Sequence, residues 1–156
     1  MDVNEARIKS EMILENINSE WKKDSPIDES NISGEALSIP KLQSKYIDFL
    51  TRLKLALVKT ERDFNKMKNI KSKYYRGEMG KEELDKYGWN QYQGNKPLKT
   101  ELETFLKSDD DLNDYGDIMK IQQATIDVLE KILKEINNRN FHCRVAVDWN
   151  KFINGG

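Results

Sequence analysis

The amino-acid sequence predicts an all-α fold: two long amphipathic helices forming an antiparallel hairpin, with shorter helices at the N- and C-termini. Three observations carry that prediction. Apolar residues recur at helical spacing through three long segments. Only three prolines and eight glycines interrupt 156 residues, so long helices are permitted. The chain is also poor in apolar residues (37%) and rich in charged ones (34%), a balance that suits amphipathic rods completing their burial against further copies better than a water-excluding enzyme core. At this length a single helical domain, 1–156, is expected.

The elements follow in chain order. Val3, Ile8, Met12, Ile13, Ile17 and Trp21 mark a helix over 3–22. The stretch 24–40, with two prolines, a glycine and several Ser, Asp and Asn residues, reads as a linker of short turns. Pro40 suits the first turn of the next helix, where its missing N–H is no loss. From there Leu42, Tyr46, Leu50, Leu53, Leu57, Thr60, Phe64 and Met67 form a seam spaced by threes and fours, giving a helix over 41–76. Gly77 stops it. Residues 77–97 form a loop-rich excursion with a short helix near Lys81–Lys86. Helices are expected across 98–138: Leu98, Leu102, Phe105 and Leu106 share one face, and after the break and cap at Ser108–Asp111 a second long run extends from Leu112 to Ile136, ended by Asn137-Asn138-Arg139-Asn140. The tail, 141–154, is two-sided: Arg144–Trp149 alternates like a strand, while Phe141, Val145, Trp149 and Phe152 fall on one helical face. A short helix used for oligomerisation is preferred.

Chemistry of the enzymatic kind lacks its residues. One histidine beside one cysteine, His142 and Cys143, cannot furnish a zinc set, and a lone cysteine forms no internal disulfide. Asp109–Asp111 reads as a helix-start signal rather than a magnesium site. No GxxxxGK[ST], GxGxxG or GxSxG occurs. No cofactor, no metal and no catalytic residue is expected, nor a signal peptide or membrane anchor, so the protein should be soluble and intracellular.

Charge is the informative feature. The net charge is only -1, yet Arg52–Arg76 holds nine cations against two acids, while residues 1–35 and 101–117 are acidic. FNKMKNIKSKYYRG, Phe64–Gly77, has five cations, no acid and paired tyrosines. Lys59, Arg62, Lys66, Lys73 and Arg76 fall near one helical stripe, flanked by Lys68, Lys71, Tyr74 and Tyr75. Phosphates attract such cations, and unpaired bases stack on tyrosine, so single-stranded DNA is the expected ligand. Copies held together would multiply a modest affinity. The competing reading is a structural coiled-coil oligomer, a virion or scaffold component whose cations meet acids of neighbouring subunits; a duplex-DNA regulator is a weaker rival.

The order KKDSPID, a long helix, KSKYYRG, LKSDDDL, a second long helix and RNFHCRVAVDWNKFING resembles the UvsY family of recombination mediators of T-even-type phages. The most specific pieces are Lys22-Lys23-Asp24 with Ile27-Asp28, Tyr74-Tyr75 with Gly77, and Arg139, Phe141, Phe152 and Gly155. The resemblance implies a non-enzymatic protein, acting in the cytoplasm of the infected bacterial host, that binds single-stranded DNA. It would help a strand-exchange recombinase displace the single-strand-binding protein during recombination, repair and recombination-dependent replication. It also implies ring-like homo-oligomers of about six or seven subunits, supported by the C-terminal region. The family places basic residues just before its paired tyrosines; Lys71 keeps one such position, Asn69 departs from another, and Lys68, Lys73 and Arg76 stand nearby. The excursion 77–97 is longer here.

Overall fold

In the computed structural model, which describes residues 3–155, the chain is all-helical. Helix α1 covers Val3–Asp24, α2 Ile32–Tyr75, α3 Lys81–Tyr87, α4 Leu102–Lys107 and α5 Asp110–Ile153, with a single 3₁₀ turn at Glu29–Asn31. Each long helix has 44 residues. The chain divides into two compact units: Val58–Lys120, with the start of α1 up to Ile8, and Lys9–Leu57 with α5 from Ile121 onward.

The second unit holds the main core, where Ile17, Tyr46, Leu53, Ile126, Leu129, Ile132 and Ile136 are buried together. Its seam alternates threes and fours because those positions share one side of a helix, and each fully buried aliphatic side chain contributes about 1.5–3 kcal/mol. Tyr46 is fully enclosed. Trp21 and Phe49 meet its ring edge-on at 5.6 and 5.9 Å. The Tyr46 hydroxyl donates to Asp24 Oδ2 at 3.0 Å. Burial first, and the Asp24 carboxylate second, push that phenol well above its ordinary range. Across this unit the Gln43 amide donates to Asn137 at 2.5 Å and Lys54 pairs with Glu130 at 3.0 Å, so chain number rises along α2 as it falls along α5.

Three expectations are corrected. Helix α2 begins at Ile32, not at Lys41, and takes up much of the stretch read as a linker. Asn31 caps it, its Oδ1 accepting from the Gly34 N–H at 3.2 Å. Pro40 therefore sits inside the helix, eight residues in, and offers no N–H to the Ala36 carbonyl. Nor does Asn137–Asn140 end the last helix: α5 runs on to Ile153, and the tail is the continuation of that helix rather than a separate piece. The reason is Arg139. Its guanidinium is buried, with 6% of the side chain exposed, and Nη1 and Nη2 donate to the carbonyls of Asp24, Ser25 and Pro26 and to the Glu35 carboxylate at 2.6 Å. Two of the residues that locally suggest a stop, Asn137 and Arg139, meet tertiary partners instead.

In the first unit Met79, Leu84, Leu106, Leu112 and Ile118 are buried. Gly77 ends α2 in the left-handed region, φ +67°, where a side chain would be strained, and its N–H donates to the Tyr74 carbonyl. Pro97 and Leu98 lie outside any helix; α4 is confined to Leu102–Lys107. Among the described residues no helix is long and apolar enough to cross a membrane.

Candidate nucleic-acid interface

The C-terminal third of α2 displays the cations the sequence grouped together, but not all on one surface. Lys59, Arg62 and Lys66 are exposed, and among the described residues none of them takes part in an ion pair. They occupy successive turns of α2 on one side. Lys73 and Arg76 are exposed but partly compensated, the first 3.9 Å from Glu83 and the second 3.0 Å from Glu78. Lys68 is half-buried and pairs with Glu103 at 3.2 Å.

Lys71 is a different matter. Only 10% of its side chain is exposed; Nζ lies 3.0 Å from Asp109 and 2.6 Å from Asp111, and 4.5 Å from the centre of the Trp89 ring. Burial pushes its ammonium down, but the two carboxylates outweigh it and the net shift is upward. The residue is held as a cation inside the first unit rather than presented to solvent, so its expected place in an open DNA track is corrected. Tyr75 is turned inward too. Its hydroxyl donates to Asp109 Oδ2 at 2.7 Å, and burial, then that carboxylate, raise its pKa far above the usual tyrosine value.

One aspartate organises this knot. Asp109 is buried, its Oδ1 accepts from the Leu112 N–H at 3.1 Å, and so it caps α5 while Oδ2 serves Tyr75 and Lys71. Tyr74 contributes packing: its ring lies edge-on to Tyr75, Trp89 and Tyr92 at 5.1–5.6 Å, and Trp89 stacks on Tyr87 at 4.9 Å. The excursion after Gly77 thus folds its aromatic residues onto the paired tyrosines. Nothing within Phe64–Gly77 signals this, because every acid and ring responsible lies beyond Gly77. The DDD triplet, already legible as a helix start, was the one available signal.

At the other end of α5, Phe141, Val145, Trp149 and Phe152 lie on one exposed face; Trp149 is 60% and Phe152 76% accessible, and their rings stack at 5.7 Å. A groove of about 350 Å³ runs beside Phe141, Val145 and Trp149, closed on its far side by Ile32 and Glu29.

Comparison with known proteins settles the family. A family model described as "Recombination, repair and ssDNA binding protein UvsY" matches residues 20–156. The chain belongs to the UvsY family. Two crystal structures of the bacteriophage T4 recombination mediator protein UvsY share the UvsY fold with this chain: lattice type IV at TM-score 0.76 and 22% identity, covering 89% of this chain and 98% of that one, and lattice type II at 0.75 and 22%, covering 91% and 97%. No curated protein sequence matches it.

Proposed function

We propose that this UvsY-family protein is a non-enzymatic recombination mediator. In this reading it binds single-stranded DNA and promotes loading of a strand-exchange recombinase onto DNA coated by single-strand-binding protein, in the cytoplasm of an infected bacterial host. The observation that carries the reading is the row Lys59, Arg62 and Lys66: exposed cations with no ion-pair partner among the described residues, continued by the partly compensated Lys73 and Arg76. A polyanion meeting that row displaces counterions without first breaking an internal ion pair. Lys68, Lys71, Tyr74 and Tyr75 act beneath it, fixing the end of α2 and the excursion that follows.

The two long helices pair as an antiparallel hairpin, and several copies, about six or seven, close into a ring through the stripe Phe141, Val145, Trp149 and Phe152. That stripe is a contiguous exposed apolar face in a chain otherwise rich in charge, and such faces are found where partners dock. A ring repeats the basic row and raises its avidity.

Fluorescence anisotropy with labelled oligonucleotides at rising salt tests the reading. Single strands bind more tightly than duplexes of equal length, and replacing Lys59, Arg62 and Lys66 together by alanine lowers the salt slope by about two units for each protomer engaged. Sedimentation shows that variant still assembled. Undetectable binding, or equal binding of both DNA forms, sinks the mediator reading in favour of a structural scaffold.

A further inference from the structure

Within the first unit, α2, α4 and α5 border an open groove of about 480 Å³ that the basic row does not use. Phe64 gives it an apolar wall, with Leu106 and Leu112 almost closed over at its floor, and Asn113, Gly116 and five charged side chains line the rest. The volume is that of a small-ligand site, and the lining pairs one apolar wall with charged and polar groups.

Gly116 is the unexpected member. It lies inside α5, where glycine disfavours the helix, and its φ is not positive, so the backbone does not require it. Packing does not require it either: a Cβ built there would meet no atom within 4 Å. What the missing side chain leaves is space in the groove.

Electrostatics then narrow the ligand. Lys68 is matched by Glu103 at 3.2 Å and Lys120 by Asp117 at 3.1 Å, both pairs lying along the groove. Lys107 has no ion pair among the described residues and leaves the groove with a net positive charge. An apolar wall containing a phenyl ring, a side-chain amide and one uncompensated ammonium match the three parts of a nucleotide: a flat base, its hydrogen-bonding edge and its phosphate.

We infer that this groove is a nucleotide site, seating a base against Phe64 in the space left by Gly116 and drawing its phosphate to Lys107. The nucleotide is one unit of a bound single strand or a free nucleoside monophosphate; the first source rests on the single-strand reading above.

The test uses the full-length protein and Gly116→Leu, which fills the groove from a position that is free of neighbours. Circular dichroism shows its helix content unchanged and its thermal midpoint no lower. The wild type binds labelled oligo-dT about tenfold more tightly than an abasic strand of the same length, and Gly116→Leu removes that difference while leaving abasic binding and the salt slope intact. For a free ligand, titration with dTMP perturbs the Asn113 side-chain amide resonances in the wild type and not in Gly116→Leu. Lys107→Glu, on the exposed rim, weakens whichever ligand binds without touching the apolar wall. The inference is overturned if Gly116→Leu and Lys107→Glu both match the wild type with oligo-dT and with dTMP. A wild type that keeps its salt-dependent preference for single strands but treats dT and abasic strands alike, and ignores dTMP, removes this site and leaves the mediator reading standing; failure to bind any strand removes the latter instead.

Discussion

Among the described residues each of the two units buries one cation, and the two are satisfied in different ways. Arg139 directs its planar fork at three backbone carbonyls and one carboxylate, leaving Nε without a partner. Lys71 places a single ammonium between two carboxylates and an indole face. The first arrangement needs a fixed geometry that only arginine supplies, because one planar fork reaches four acceptors at once. The second needs a point charge in a site whose acids supply most of the attraction. The contrast teaches that a buried cation can be a clamp on backbone or a counter-charge to a cap, and that the two differ in which substitutions they tolerate.

Substitutions measure this contrast. The largest effect is expected at Arg139: Arg139→Met leaves Glu35 without its counter-charge and three carbonyls without their donor, and lowers stability by about 3–5 kcal/mol in urea denaturation. Arg139→Lys recovers little of the loss, since one ammonium cannot span four acceptors. Lys71→Met comes next, at about 3 kcal/mol, because Asp109 is left buried beside Asp111. Removing Asp109 charge as well, in Lys71→Met with Asp109→Asn, recovers part of that loss. A Lys71→Met variant that lowers the salt slope of DNA binding at unchanged stability would place Lys71 in the DNA track after all.

Acidity separates the two sites further. The Arg139 hydrogen bond, and then the Asp28 N–H, hold the Glu35 carboxyl below its ordinary value. Its native state releases the proton more readily than the unfolded chain does, so this contribution is present above about pH 4.5 and lost as pH falls through the lowered folded value. Stability followed from pH 6 to pH 3 falls less steeply in Glu35→Gln than in the wild type. The smallest effect is expected at Lys66→Ala, within about 0.5 kcal/mol of wild type in stability, while the salt slope still drops by about 0.7.

Much of the fold was legible in the sequence. Helical spacing marked α1, both long seams and the tail face, and Gly77 and Asp109–Asp111 marked a stop and a start. Spacing works because burial on one side of a helix is a local constraint. What escaped were features set by distant partners. Residues 32–40 looked like a linker because Ser, Gly and Pro disfavour a helix locally, yet the Asn31 cap and the tie from Glu35 to Arg139 hold them helical. Asn137–Asn140 looked like a stop for the same reason. In the candidate interface the charge census counted Lys71 with its neighbours, although the acids that claim it are 38 and 40 positions away in the chain. Lys59, Arg62 and Lys66 were readable as a surface row because no acid among the described residues claims them. Gly116 and its groove gave no signal, since an absent side chain is silent to any pattern of apolar spacing.

Pro40 interrupts the amide ladder of α2 at one rung, and the turns before it, from Ile32, are anchored to the Glu35–Arg139 pair. Those amides are expected to form a separate unit of protection: hydrogen–deuterium exchange should show them opening ahead of the rest of the helix, and in Arg139→Met exchanging as freely as a chain end while the turns around Tyr46 stay closed. A proline eight residues into a helix thereby becomes a seam along which the molecule loosens without coming apart.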